Sequence, residues 1–191
     1  MKYLLKICTI SLLLIHAQTK AQDSPYFAQL YAWNNLHNGW SVLPNNQGNY
    51  MIFGSTYTDN WHGYAAEIDS LGGFIQAQDF PFQANENTNG SGFNQAISTN
   101  YGFFAVGATE YNEFHYPNIL YAMTDDVGNL IKMDTIGPVN QGNYGFGATQ
   151  NNNGEHLIVG FINISDEPLH LYPYLSKLDE NGTEIWDTVY T

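Results

Sequence analysis

The sequence predicts an all-β protein built from three copies of one four-stranded antiparallel unit. Three observations carry this. An apolar strand closed by glycine returns as NYMIFG, GFFAVG and HLIVG, and its glycines Gly54, Gly107 and Gly160 stand 53 residues apart. A glycine-aromatic pair keeps the same spacing, at Gly39-Trp40, Gly92-Phe93 and Gly145-Phe146. Beyond residue 21 no i, i+3, i+4 apolar stripe appears, while short apolar runs bounded by Asn, Asp and Gly recur to the end.

Lys2 and Lys6 precede an apolar run from Ile7 to Ile15, and small or polar residues follow to Ala21. That order predicts a secretory signal peptide over 1–21, cleaved near Ala21-Gln22. The apolar run is too short to span a bilayer. Residues 22–38 hold a lead-in strand at 26–31 (YFAQLY). The first unit, 39–85, has strands at 39–43, 49–56, 64–69 and 74–80, with a polar and aromatic loop at 57–63. The second, 86–138, has strands at 92–97, 101–109, 120–125 and 130–136. The third, 139–191, has them at 144–149, 156–162, 174–179 and 185–190. The third strands align as YAAEID, YAMTDD and YLSKLD.

Four short strands in each repeat of about 50 residues is the pattern of propeller-type blades. Propellers close with about four to eight blades, so three predict an incomplete or open ring. The expectation is a piece of a longer ring with further blades missing, a ring closed by self-association, or an open fan with exposed edges. The lead-in strand fits a fourth-strand role that would join the two ends of a ring.

Charge narrows the partners. The chain carries 18 acidic residues against 5 lysines and no arginine, a net charge of −13. Three of those lysines lie in the predicted signal, leaving about −16 behind it. Such a surface repels phosphate backbones and anionic lipid, which argues against nucleic acid as a partner. Cys8, the single cysteine, lies in the predicted signal, so the exported chain has no disulfide and relies on its aromatic-rich core. The expected location is therefore secreted, at the cell surface or beyond, with the periplasm as the other destination of such a signal.

The blades also carry a family resemblance. GNYMIFGST, then YAAEIDSLGG, then a strand with an aromatic, resembles the secreted bacterial β-propeller repeats of the delta-60 type. The third unit is the most similar, with Lys177-Leu178-Asp179, Gly182 and Ile185-Trp186. The first unit departs, with Glu67 where the resemblance implies lysine and Gln76 where it implies tryptophan, and the second unit has a turn one residue shorter. The resemblance covers nearly all of 26–191 and implies architecture. DENGTEIW at 179–186 also resembles the Asp-box turn of sialidases, with the Asp-to-Gly spacing off by one. Asp69-Ser70-Leu71, Asp134-Thr135-Ile136 and Asp187-Thr188-Val189 resemble an O-glycosylation acceptor of secreted bacterial proteins.

In a blade the loops between strands two and three, and the links between units, lie on one face. Those stretches hold Trp61 and His62; Tyr111, Glu113, Phe114, His115 and Tyr116; and Asp166, Glu167, His170 and Tyr172, with Trp33 and His37 in the first link. Loops on a rigid scaffold concentrate function. Trp61, His62, Tyr111, His115, Tyr116, His170 and Tyr172 are therefore the expected ligand-binding residues, suited to a glycan or a protein ligand by stacking and hydrogen bonding. The same rings would also serve as packing beneath long loops.

His62 and His115 share the repeat spacing, but no loop holds a close ligand pair, so no metal and no cofactor is expected. Asp69, Asp125 or Asp126, and Asp179 precede glycines and read as turn-forming carboxylates. No nucleophile elbow, P-loop, zincin helix or dinucleotide fingerprint occurs. The expected function is a non-catalytic binding or interaction module. The alternatives are the blade portion of an extracellular glycan-acting enzyme, or a purely structural repeat.

Overall fold

The computed structural model describes residues 36–57, 60–82, 90–109, 117–138, 141–163 and 171–191. The strand expected at 26–31 lies outside them. The described residues form three four-stranded antiparallel sheets and no helix. Sheet 1 runs β1 (Leu36–Pro44), β2 (Tyr50–Tyr57), β3 (Trp61–Ile68), β4 (Phe74–Phe80). Sheet 2 runs β5 (Ser91–Ser98), β6 (Phe103–Thr109), β7 (Ile119–Thr124), β8 (Leu130–Ile136). Sheet 3 runs β9 (Gly142–Gln150), β10 (His156–Asn163), β11 (Leu171–Leu178), β12 (Glu184–Val189). In each sheet neighbours in sequence are neighbours in space, so each is a meander of the predicted blade kind.

Two cores hold the sheets side by side, with sheet 2 in the middle. Successive residues of a strand face opposite ways, so β6 sends Phe103 and Ala105 into the core shared with sheet 1. Phe104 and Val106 enter the core shared with sheet 3. β7 divides likewise, with Leu120 and Ala122 on one side and Ile119, Tyr121 and Met123 on the other. The middle sheet therefore needs unbroken apolar strands. No hydrophobic cluster among the described residues joins sheet 3 to sheet 1, so the row stays open. Met51 and Phe53 of β2, the register equivalents of Phe104 and Val106, are buried against sheet 2. The matching Val159 of β10 is 45% exposed, and Trp186, on the same face, is 43% exposed.

The repeated glycine has a packing cause. The innermost strand of each sheet carries a one-residue bulge: Trp40 in β1, Asn94 in β5 and Phe146 in β9 are skipped by the ladder. A Cβ on the glycine opposite would run into a backbone carbonyl: Gly54 into Asn38, Gly107 into Gly92, Gly160 into Tyr144. Only glycine admits that approach.

The glycine-aromatic pair, by contrast, is equally spaced in sequence but not equivalent in space. Trp40 and Phe146 are bulge residues, 60% and 51% exposed. Phe93 pairs with Gly107 and is fully buried, leaving Asn94 to fill the bulge. The cause is the shorter turn of the second unit, between its first two strands. There Thr99 N donates to Gly102 O, one residue tighter than Asn45 N to Asn49 O or Asn151 N to Glu155 O.

The remaining short turns on that side share one design. The side-chain Oδ1 of Asn45, Asp69, Asp125, Asn151 and Asp179 accepts from the N–H groups two and four residues on. Gly48, Gly72, Gly128, Gly154 and Gly182 supply the positive φ that completes each turn. Asp125, not Asp126, takes this role in the second unit; Asp126 instead accepts from Asn46 N across the sheet boundary. The Thr183 backbone N–H, first among several donors, holds the Asp179 carboxyl below the usual range. For Asp125, burial opposes the same shift, and bonds from Asn129, Val127 and Gly128 outweigh it. Of the three glycosylation-like tripeptides, Ser70 is exposed on a turn, while Thr135 and Thr188 are half-buried on β8 and β12.

The two departures of the first unit belong together. Glu67 and Gln76 are ladder partners, at the place where sheet 3 pairs Lys177 with Trp186. The buried Glu67 carboxylate accepts from Asn45 Nδ2 at 2.9 Å, Asn49 Nδ2 at 2.8 Å and Gln76 Nε2 at 2.9 Å. Gln76 Nε2 also reaches Val127 O of sheet 2, as Lys132 Nζ of sheet 2 reaches Gly182 O of sheet 3. Asn45 thus joins a turn to a buried carboxylate. Asn45→Ala is expected to lower stability by about 2 kcal/mol, since it removes turn and carboxylate bonds together. Urea denaturation measures this; an unchanged midpoint would show that the turn is held by other means.

Candidate functional site

The end of the sheets opposite the glycine turns carries a cleft of about 450 Å³. The starts of β1, β3, β5 and β9 and the ends of β2 and β6 line it. Its rings are Trp40, Trp61 and Tyr144, and its polar side chains include Asn38, Ser91 and Asn94. The volume lies within the ~300–1,000 Å³ usual for small-molecule sites.

Each ring has a local cause. Trp40 is the bulge residue of β1, and a bulge re-aims the side chain it carries. Trp61 opens β3 opposite Tyr57, the last residue of β2, and their rings meet edge-on at 5.4 Å. A parallel bridge to Gly90 ties Trp61 to the segment leading into β5. Tyr144 packs on Phe161 at 4.9 Å between ring centres. Asn94, the bulge residue of β5, donates through Nδ2 to Gly145 O at 2.8 Å, which fixes its amide between two inner strands. Gly92 lets β5 pass over β2, because a Cβ there would meet the Ser55 hydroxyl. Ser91 Oγ accepts from Gly63 N at 3.3 Å and closes the floor.

None of the described lining residues is Asp, Glu, His, Cys, Lys or Arg. Among the described residues the cleft therefore presents rings, amides and hydroxyls, and no charged group, imidazole or carboxylate. Among the described residues no three of His, Cys, Asp and Glu come together in a metal-binding arrangement. No described helix is long and apolar enough to cross a membrane.

The expected site residues separate. Trp61 lines the cleft. His62 follows it on β3, opposite Thr56, and so faces the other side of sheet 1. Tyr172 pairs with Ile162 on β11 and packs against the core between sheets 2 and 3. Both Trp61 and His62, expected in a loop at 57–63, stand on β3, because the ladder continues to Tyr57 opposite Trp61. Tyr172, also expected in a loop, stands on β11 for the same reason, since that strand begins at Leu171. Tyr111, His115, Tyr116 and His170 lie outside the described residues. The cleft adds Trp40, Tyr144, Asn38 and Asn94, which the loop argument does not reach because they sit on strands. Comparison with known proteins gives no match, neither to a family model nor to a curated protein.

Proposed function

We propose that this protein is a secreted, non-catalytic binding module whose blade-like sheets serve as a rigid frame for the cleft between their inner strands. One observation carries the reading: three aromatic rings converge on an open cleft whose described lining residues include no acid, base or nucleophilic thiol. Acid–base or nucleophilic chemistry needs such a group within hydrogen-bond reach of the reacting atom, whereas recognition needs only shape, stacking surface and a few placed polar groups. The secreted location rests on the signal-like residues 1–21 and the acidic, disulfide-free remainder. The open face of sheet 3, with Val159 exposed where its equivalents Phe53 and Val106 are buried in sheets 1 and 2, supports seating of a further sheet of the same repeat.

The test is incubation of the purified protein with oligosaccharide and peptide panels, followed by native and denaturing mass spectrometry. A complex without a product is the expected result. A cleaved or transferred product overturns the proposal, and so does the absence of any complex.

A further inference from the structure

We infer that the cleft takes a neutral saccharide, with sugar rings laid against Trp40 and Trp61 and hydroxyls bonded to the amides of Asn38 and Asn94. This rests on the reading of the cleft as a binding site and adds the class of ligand.

The first argument is charge. The chain carries 18 acidic residues and a net charge of −13, yet none of the described residues that line the cleft is charged. An anionic ligand would meet no cation there and would be repelled by the surrounding surface. A cationic ligand would find no carboxylate among the described lining residues, and an ion pair gains most at short range. A neutral ligand loses nothing on either count.

The second argument is the kind of surface. A pyranose has an apolar C–H face and a rim of hydroxyl groups. An indole offers a wide apolar plane at low conformational cost, and the two indoles here are built to stay open. Trp40 is skipped by the β1 ladder and is 60% exposed, so it is not part of either core. Trp61 is steadied by Tyr57 and by the bridge to Gly90. A carboxamide both donates and accepts, as a sugar hydroxyl does. The Asn94 bond to Gly145 O engages one of its two N–H groups and orients the rest.

The third argument comes from the repeat. Trp40, Asn94 and Phe146 occupy the same bulge position on three adjacent inner strands. Sheet 2 puts an amide where its neighbours put rings, and that amide stands in the cleft with Trp40. A ring and an amide set side by side by one repeated backbone device match the two faces of a sugar.

The experiment titrates the full exported chain with cellohexaose, mannohexaose and chitohexaose, with an oligogalacturonate of equal length, and with an uncharged Gly-Ser-Asn peptide. Tryptophan fluorescence and calorimetry are the readouts. At least one neutral oligosaccharide is expected to bind saturably. Trp40→Ala and Trp61→Ala should each weaken it at least tenfold, while Trp186→Ala, on the far side of sheet 3, leaves it unchanged. Thermal melts of each variant separate loss of binding from loss of folding. Should the Trp40 change unfold the chain, Trp40→Phe and Asn94→Ala take its place with the same expectation. If only the peptide or the oligogalacturonate binds, with the same tryptophan dependence, the neutral-saccharide assignment falls and the binding cleft stands. If nothing binds, or binding ignores both tryptophans, the cleft reading falls with it.

Discussion

Gly107→Ala is expected to destabilise the protein by about 3 kcal/mol or more, near the upper end for overpacking a filled core. The added methyl group has nowhere to go. It would be built onto the Gly92 carbonyl, with the Gly92 carbonyl carbon and Phe93 Cα each 2.8 Å away. These are backbone atoms, so no rotamer change relieves the contact. Nor can the sheet shift as a body, because Phe103 and Ala105 press on sheet 1 while Phe104 and Val106 press on sheet 3. For a chain of this size the loss corresponds to a fall in Tm of roughly 6–12 °C. Gly160→Ala offers the comparison. Its Cβ would meet the Tyr144 carbonyl in the same way, but sheet 3 has one open face and can move. A smaller loss is therefore expected there. Equal losses would show that the bulge itself, not the packing of the middle sheet, sets the cost; no loss at Gly107 would remove the packing explanation of the 53-residue spacing.

That spacing is why so much of the fold is legible in the sequence. A glycine forced by close approach marks the same point of every blade, and the apolar strand around it must recur because each sheet packs on the next. β4 and β8 coincide with the strands read at 74–80 and 130–136. What escapes the sequence is phase. The pair Gly92-Phe93 repeats Gly39-Trp40 letter for letter in kind, yet one residue lost from the turn at Thr99–Gly102 slides it by one position. A periodic pattern cannot show whether a shorter turn is absorbed in the loop or passed on to the strand.

The site is legible only where aromatic residues interrupt a strand pattern. Trp61 stands out in that way and lines the cleft. His62 stands out equally, but adjacent residues of a strand point apart, and strand period cannot be applied to a stretch read as loop. Tyr144 and Asn94 look like ordinary strand residues, and only the convergence of inner strands from three sheets brings them to one place. Trp40 carries a visible signal, the glycine beside it, although the signal speaks of a bulge and not of a ligand.

His156 should make stability depend on pH between about 6.5 and 4. It is the register equivalent of Phe103 and occupies the same kind of position, facing the preceding sheet. It is fully buried, stacked on Phe104 at 4.1 Å, and its Nε2 meets the Tyr101 hydroxyl at 3.0 Å. Its Nδ1 is buried without a hydrogen-bond partner among the described residues. Burial pushes its pKa down to about 4, with the Asp179 charge pulling weakly the other way. The folded state therefore excludes a proton that the unfolded chain binds below about 6.5. Stability is full above that pH, falls as the pH drops toward about 4, and has lost roughly 3 kcal/mol through this group at the bottom of the window. Asp125, Asp179 and Glu155, held below the usual carboxylate range, add their own loss from about pH 5 downward, most of it below the His156 window. His156→Phe copies the residue that sheet 2 uses and removes the titrating group while keeping the stack on Phe104. Its urea midpoint is expected to be nearly flat between pH 7 and 4.5 relative to the natural chain, at the cost of the Tyr101 bond at neutral pH. Parallel curves for the two proteins would mean that the imidazole admits its proton in place, and that the core between sheets 2 and 3 opens to water at His156.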